Sequence, residues 1–365
     1  MNTRGERIIV GLSGGVDSSV SALLLQQQGY RVEGLFMFNW ADDELGYCSA
    51  AEDFQDAARV CEQLKIPLHQ ADFSMEYRER VFKNFLEEYA AGRTPNPDVL
   101  CNREIKFKSF LRHARRLGAD CIATGHYARL AQAPVAAHLL RARDPNKDQT
   151  YFLCTVAAEA LAQTLFPVGG LLKAEVRALA AEHGLPVHDK KDSTGICFIG
   201  ERRFREFLAG YLPAQPGPIR TRLPSAEIRE LGQHQGLMYY TLGQRRGLGI
   251  GGQRDAGENP WYVVGKELAN QTLWVSQDPR HPNLRHRILY TDGMHWIGDP
   301  PGMPLRCTGR IRHRQMDQPC SVRPGDRGLA VTFDQPQQAI TPGQFIALYL
   351  DERCLGGGAI AETAA

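Results

Sequence analysis

The residues with the clearest chemistry lie near the start of the chain, in the run Ser13-Gly14-Gly15-Val16-Asp17-Ser18-Ser19. An apolar, β-branched stretch, residues 7–12, precedes this run. A helical spacing follows it, at Val16, Val20, Leu23 and Leu24. The pattern predicts a strand, a tight turn and a helix N-terminus, which together offer backbone N–H groups to a phosphate. Gly14 and Gly15 can adopt φ > 0 and allow a ligand to approach the backbone closely.

The loop differs from two familiar phosphate-binding loops. It lacks the Gly-Lys-Ser/Thr ending of a Walker A loop, and its glycine spacing is not that of a Rossmann fold. It resembles instead the pyrophosphate-binding loop of the ATP pyrophosphatases, which cleave ATP between the α- and β-phosphates and adenylate a substrate. An ordinary strand-to-helix turn is the alternative. Two glycines, three serines and an aspartate at one junction favour the phosphate site.

Two of the nine cysteines combine a predicted loop with nearby positive charge. Cys101 ends the stretch 94–101, in which two prolines stiffen the backbone, and we expect it just before a helix. Cys197 lies at a predicted loop edge in the stretch 193–199. Because a helix N-terminus and adjacent cations lower the pKa of a thiol, both are candidate reactive cysteines. The cations are Arg103, Lys106 and Lys108 for the first, and Lys190, Lys191, Arg202 and Arg203 for the second. A buried structural thiol is the alternative at each position.

Basic residues form three clusters, although the net charge is only +2. The first, on a predicted helix, comprises Arg103, Lys106, Lys108, Arg112, His113, Arg115 and Arg116. The second, in a predicted strand near the C-terminus, comprises Arg310, Arg312, His313 and Arg314. The third is the glycine-flanked segment Gln244-Arg245-Arg246, with two arginines. Solvated surface charge is the alternative for each. Together they indicate a polyanionic partner with an extended footprint. Residues 147–152 add polar groups and aromatic rings that could stack on bases.

Length and composition bound the class of protein. The 365 residues are 43% hydrophobic and 23% charged, which is typical of a globular protein of two or three domains. The cysteines form no C-x-x-C pair, so we expect neither zinc nor an Fe–S cluster. Their odd number argues against a disulfide framework. The N-terminus runs directly into the first strand, so we expect no signal peptide and a cytoplasmic protein.

Up to about residue 130, predicted strands alternate with predicted helices. The strands are 7–12, 32–38, 67–71 and 121–124, and the helices follow the first loop and cover about 49–64, 74–90 and 104–117. This alternation predicts a parallel sheet with ligands beyond the carboxyl ends of its strands. Further helices are expected at 157–166 and 173–183. After the linker 213–218, short alternating runs predict β-structure that ends in a barrel: 261–264, 272–275, 307–311, 329–333 and 345–349.

Taken in order, the motifs resemble the bacterial tRNA-specific 2-thiouridylases over nearly the whole chain. They include Gly11–Ser18, Phe36-Met37 with Asn39-Trp40, Asn96-Pro97-Asp98 with Cys101-Asn102, Ala123–Tyr127, Lys147-Asp148-Gln149, Ser193–Ile199 and Tyr240–Gly249. The resemblance implies an α/β chain with an N-terminal parallel-sheet ATP pyrophosphatase domain of the adenine nucleotide alpha hydrolase type, a small central domain and a C-terminal β-barrel. We expect these domains at 1–205, 214–278 and 284–360.

The resemblance also implies roles for individual residues. ATP would contact Gly11, Leu12, Ser13, Gly14, Gly15, Val16, Asp17, Ser18, Met37 and Gly125, with Mg²⁺ at Asp17. Asn96, Pro97 and Asp98 would contact the target base. Further tRNA contacts would be His126, Lys147, Asp148, Gln149, Arg312, His313 and Gln344. The family often has a tyrosine where this chain has His313, which leaves the stacking role of that position open.

The implied reaction replaces O2 of the wobble uridine with sulfur. Adenylation converts a poor leaving group into AMP. A persulfide on Cys197, supplied by a persulfide protein or a cysteine desulfurase relay, delivers sulfur directly or as sulfide. Cys101 resolves the persulfide to a disulfide, and Asp98 carries a proton. The resemblance implies the lysine, glutamate and glutamine tRNAs as substrates. Two alternatives remain: a related ligase, such as an argininosuccinate or lysidine synthetase, and a non-catalytic RNA-binding protein.

Overall fold

The computed structural model describes residues 5–40, 49–131, 137–192, 204–251, 259–326 and 328–364. Its first sheet has five parallel strands in the order β3-β2-β1-β4-β7. These strands are β1 Arg7–Leu12, β2 Arg31–Phe38, β3 Leu68–Asp72, β4 Cys121–Thr124 and β7 Thr164–Leu165. The first four strands confirm the predictions. Strands β1, β2 and β4 are mostly buried beneath helices, whereas β3, at the edge of the sheet, is only partly buried.

Helices cover both faces of this sheet. They are α1 Val16–Gln27, α2 Ser49–Leu64, α3 Ser74–Tyr77, α4 Lys83–Ala90, α5 Pro97–Cys101, α6 Leu111–Arg116, α7 Thr150–Leu153, α8 Ala158–Leu161, α9 Lys173–Glu182 and α10 Phe204–Ala209. Two π-helical stretches, Arg78–Phe82 and Asn102–Phe110, join α3 to α4 and α5 to α6. Two predictions are wrong here. The helix expected from Glu104 begins at Pro97, and the region 157–166 is a short helix followed by strand β7.

The central region forms a separate four-stranded sheet in the order β10-β11-β8-β9. Its strands are β8 Gly217–Arg222, β9 Ile228–His234, β10 Tyr262–Glu267 and β11 Thr272–Ser276. Ile219, Leu231, Val263, Leu273 and Val275 form its buried core. The expected linker at 213–218 therefore ends inside β8.

The third sheet closes into a barrel, because its first strand also pairs with its sixth. The barrel strands are β12 Arg285–Trp296, β13 Leu305–Arg310, β14 Gln318–Pro324, β15 Leu329–Gln338, β16 Phe345–Leu350 and β17 Arg353–Ala364. Arg312, His313 and Arg314 were expected in a strand but lie in the turn after β13.

A hairpin from the N-terminal half extends the barrel sheet. Its strands are β5 Arg129–Ala131 and β6 His138–Leu140, and β6 pairs antiparallel with β17 at Leu139↔Cys354 and Leu140↔Arg353. The barrel and the parallel-sheet region therefore share backbone hydrogen bonds. Among the described helices, none has the length and apolar character of a membrane span.

Candidate active site and RNA interface

Residues 13–15 turn the chain from β1 into α1, as the sequence predicts. The Ser18 hydroxyl organises the turn: it accepts from the Ser13 N–H at 3.2 Å and donates to the Gly15 carbonyl at 3.1 Å. Gly15 precedes the helix with φ −102°, so it does not use the positive φ that glycine allows. A Cβ on Gly15 would contact only Ser13 Oγ, at 3.4 Å, among the described atoms. The open side of the turn therefore lies at Gly15, beside the unpaired N–H groups of the helix start.

Gly14 is needed for a different reason from the one expected. Its φ is +71°, which favours glycine, but a Cβ there would collide with the backbone carbonyl of Asp53 rather than block a phosphate. Lys190 fixes the same contact, because its Nζ donates to the Gly14 carbonyl at 3.1 Å and pairs with Asp53 at 2.7 Å and with Asp56. This lysine therefore braces the loop, whereas the sequence suggested that it acts on Cys197.

The other predicted nucleotide residues lie around the loop. Gly125, directly after β4, lies so close to α1 that a Cβ there would be 2.6 Å from Ser18 N. A Cβ on Gly11 would lie 3.4 Å from Cε of Met37. Leu12 and Val16 are buried, so only their backbone can meet a ligand. The carboxyl ends of β1, β2 and β4 thus bring the predicted ATP residues together.

Asp17 is held by two partners that the sequence analysis did not identify. Lys173 Nζ lies 2.7 and 2.9 Å from its carboxylate oxygens, and the Tyr127 hydroxyl donates to it at 2.8 Å. Burial, and then the Asp17 carboxylate, raise the pKa of Tyr127, which keeps this donor protonated. Lys173 is 156 residues away from Asp17 in sequence, so no local spacing could have revealed the pair.

Lys173 also bridges to Asp192, at 2.8 Å. Lys147 and Arg177 pair with the same carboxylate, at 2.6 and 2.9 Å. Burial would raise the pKa of Asp192, but the hydrogen bonds from Lys147 and Lys173 outweigh it and lower the pKa to about 2. Asp192 thus remains an anion and ties the chain just before residue 193 to the loop.

No group of three or more His, Cys, Asp or Glu side chains in the described part of the chain could enclose a metal ion. Asp17 offers a carboxylate at the loop, and Mg²⁺ commonly takes one or two carboxylates together with substrate phosphates. Asp17 fits that role once Lys173 releases it, so the Mg²⁺ assignment stays a prediction.

The segment with Asp98 and Cys101 is helical, which corrects the expected loop. Pro97 occupies the first helical position, where its fixed φ suits a helix, and the Asn96 side chain caps the end by accepting from Val99 N–H at 3.4 Å. Asp98 and Cys101 are three residues apart and share one helix face. Cys101 is only 1% exposed.

The charges near Cys101 are also less available than expected. Glu104 pairs with Arg103 at 2.9 Å and with Lys108 at 2.7 Å, so two of the three predicted cations are neutralised locally. Cys101 also lies inside the helix rather than before it. The expected activation of its thiol by a helix N-terminus and these cations therefore lacks support. Cys197, with residues 193–200, lies outside the described residues, as do Arg202 and Arg203.

Most predicted tRNA residues of the N-terminal half already have internal partners. Asp148 is buried and pairs with Arg141 at 3.2 Å and with Arg310 at 3.1 Å. The Gln149 side chain accepts from Tyr127 N–H at 2.8 Å. His126 is buried against Thr124 Oγ1 at 2.8 Å, and burial lowers its pKa well below the usual value. The polar groups of these three side chains are therefore used in contacts within the protein.

The aromatic rings at 151 and 152 do not form the expected base-stacking pair. Tyr151 is 1% exposed, and its hydroxyl donates to the Phe345 carbonyl at 3.0 Å. The Phe152 ring lies 4.5 Å from the His313 ring, and His313 Nε2 donates to the Asp148 carbonyl at 2.9 Å. His313 therefore joins the barrel to residues 148–152.

Gln344 holds the turn before α5 from the barrel side. Its Nε2 donates to the carbonyls of Thr94 and Pro95, at 2.9 and 3.1 Å, while Thr94 N–H donates to Pro342 O at 3.0 Å. Asn96 Nδ2 donates to Gln344 Oε1 at 3.5 Å. The barrel thus brings Gln344, and through it the predicted base-contacting residues 96–98, into one structure with the parallel-sheet region.

Comparison with known proteins identifies the same three parts. Residues 6–201 match the tRNA methyl transferase HUP domain family, 205–277 the tRNA methyl transferase PRC-barrel domain family and 286–360 the aminomethyltransferase beta-barrel domain family. Among solved structures, the U34-tRNA thiolase NcsA from Methanococcus maripaludis is 20% identical, with 57% of this chain and 64% of that chain covered; its TM-score of 0.36 carries no argument.

Curated relatives match over almost the full length. The tRNA-specific 2-thiouridylase MnmA of Pectobacterium carotovorum is 58% identical, covering 98% of this chain and 97% of the relative. That of Methylococcus capsulatus is also 58% identical, covering 97% and 95%. At this identity and coverage, the chain belongs to the family of tRNA-specific 2-thiouridylases.

Proposed function

We propose that the chain is an ATP-dependent tRNA sulfurtransferase that converts the wobble uridine, U34, of the lysine, glutamate and glutamine tRNAs to 2-thiouridine. One observation carries the proposal in geometric terms: Lys173 joins Asp17 of the phosphate loop to Asp192. From Asp192 to Cys197 there are five residues, which span at most about 18 Å of extended chain. Lys173 therefore holds Asp192, from which the chain continues to Cys197, beside the loop where ATP is to bind.

The first half-reaction activates the base. O2 of uridine attacks the α-phosphorus of ATP, and pyrophosphate departs against the N–H groups of the loop. Lys173 supplies positive charge there, and Asp98 accepts or returns the proton of the base. Mg²⁺, held by Asp17 and the phosphates, would supply further neutralising charge.

The second half-reaction transfers sulfur. The terminal sulfur of a persulfide on Cys197 attacks C2, and AMP leaves with the former O2. The Cys101 thiolate then attacks Sγ of Cys197, which breaks the S–S bond to the transferred sulfur and leaves a thiocarbonyl on C2. A Cys101–Cys197 disulfide results, and an external dithiol reduces it. A persulfide carrier protein or a cysteine desulfurase relay reloads Cys197. Because Cys101 is buried, we expect tRNA binding to expose it.

The test is persulfide labelling of each variant followed by mass analysis of tRNA nucleosides. Cys197→Ser should carry no transferred sulfur, and Cys101→Ser should accept sulfur on Cys197 but form no 2-thiouridine. Cys61→Ser, a change of a buried thiol in α2, serves as the control and should retain activity. Wild-type 2-thiouridine formation by Cys197→Ser would refute the persulfide mechanism. Absence of 2-thiouridine with the wild type, together with ATP-dependent activity that Cys197→Ser retains, would favour a ligase of the same superfamily. Absence of ATP binding by calorimetry would favour a non-catalytic RNA-binding protein.

A further inference from the structure

The glycine-rich segment 240–249 of the central region has no part in the reaction described above, yet it is tightly held. Thr241 N–H donates to Gln244 Oε1 at 3.0 Å, and Gln244 Nε2 donates to the Arg246 carbonyl at 2.9 Å. Two backbone hydrogen bonds, Gly243 N to Val263 O and Val263 N to Gln244 O, at 2.8 and 3.0 Å, fasten the segment to β10. Its conformation is therefore fixed by the loop itself and by the central sheet.

The segment lies where the three regions of the chain meet. Thr241 Oγ1 is 3.3 Å from Thr94 Oγ1, in the turn that Gln344 clamps. A Cβ on Gly243, whose φ is +78°, would lie 2.7 Å from Cβ of Ala339 at the barrel. The loop is thus anchored directly beside the residues proposed to contact the target base.

This anchored loop presents two arginines to solvent. Arg245 and Arg246 are exposed, and no described residue forms an ion pair with either of them. Elsewhere in the central sheet, by contrast, Arg220 is paired with Glu230 at 3.4 Å. Arg245 and Arg246 follow Thr241 by four and five positions, so they lie at most about 14 and 18 Å along the chain from the contact with Thr94.

We propose that Arg245 and Arg246 bind backbone phosphates of the RNA whose target uridine contacts residues 96–98 at the start of α5, so that the central region is a second binding surface for the substrate. This rests on the proposed function. Two guanidinium groups that form no ion pair with any described residue, on a fixed loop, match phosphates in charge and in bidentate geometry. Such contacts carry no base information and set the position of the RNA. Counterion release makes each worth about 0.8 logarithmic units of salt slope, or roughly sixfold in affinity at 0.1 M salt.

The experiment compares the full-length protein with Arg245→Ala/Arg246→Ala. The control is Arg31→Ala/Lys65→Ala, which removes the same charge at the amino edge of the parallel sheet, opposite the site. Equilibrium binding of an unmodified tRNA transcript is measured over a series of KCl concentrations, together with kcat and KM for thiolation.

The arginine variant should bind tRNA about 40-fold more weakly at 0.1 M salt, with a salt slope lower by about 1.6, and the control should match wild type. The kcat of the arginine variant at saturating tRNA should stay within about twofold of wild type, while its KM for tRNA rises. Equal affinity and slope in both variants would overturn the proposal. Binding that responds as predicted, in a protein that forms no 2-thiouridine, would support the phosphate contacts and refute the proposed function instead.

Discussion

The contact between Gly125 and the start of α1 gives the sharpest test of how the site is positioned. In Gly125→Ala the new Cβ would lie 2.6 Å from Ser18 N and 2.8 Å from the carbonyl carbon of Asp17. All of these are backbone neighbours, so no flexible side chain can move aside. Restoring a contact of about 3.5 Å requires β4 and α1 to separate by roughly 0.9 Å.

That displacement has two consequences of different size. Overpacking of this kind costs about 1–3 kcal/mol of stability. A shift of about 1 Å between loop and substrate lowers kcat on the order of 100-fold. Because the loop N–H groups move with α1, the affinity for ATP should fall as well. Activity should therefore be lost well before the fold is.

The assay is tRNA-dependent pyrophosphate release, with ATP affinity by calorimetry and thermal unfolding measured on the same samples. Gly170→Ala is the matched control, since a Cβ there meets no described atom within 4 Å. Wild-type kcat and ATP affinity in Gly125→Ala would refute the reasoning. Equal losses in both variants would do so as well, because the control creates no collision.

Three further outcomes are expected. Asp17→Asn removes the ion pair with Lys173, so pyrophosphate release should fall by about 100-fold with little change in thermal unfolding; a wild-type rate would contradict this role. The hydrogen bond from Arg7 is the largest of the influences that lower the pKa of Glu33 to about 2. The lowered pKa of Glu33 as a whole corresponds to about 3 kcal/mol of stability, which should be complete above about pH 5 and disappear as the pH falls towards 2. In urea unfolding, Glu33→Gln should be destabilised at pH 7 and approach wild type at low pH; a pH-independent difference would contradict this. Arg312→Glu/Arg314→Glu should lower the salt slope of tRNA binding by about one unit per lost phosphate contact, while ATP affinity stays unchanged.

Local patterns were sufficient for the parallel sheet and the phosphate loop. The run 7–12 is apolar and β-branched, and it ends at glycines, so both the strand and the turn follow from neighbouring residues. The prolines around Asn96 were misinterpreted as a loop, although proline is favoured at the first turn of a helix. Strand β7 was missed because it has only two residues, Thr164 and Leu165.

The parts that could not be predicted depend on contacts between distant residues. Gly14 is required by the carbonyl of Asp53, and Asp17 is held by Lys173. Neither spacing nor composition relates such pairs, since the fold alone brings them together. The same holds for Asp148, which looks like a surface residue in sequence but is buried between Arg141 and Arg310.

The hairpin β5–β6 limits how this chain can be divided into fragments that fold independently. Its strand β6 completes its hydrogen bonding on β17, more than 200 residues later, so a fragment that ends before the barrel would expose an unpaired strand edge. The turn at Thr94 would lose its clamp in the same fragment. During synthesis, the N-terminal region can therefore complete its hydrogen bonding only after the last strand has been made. A chain truncated near its C-terminus is expected to aggregate rather than to fold as a shorter active protein.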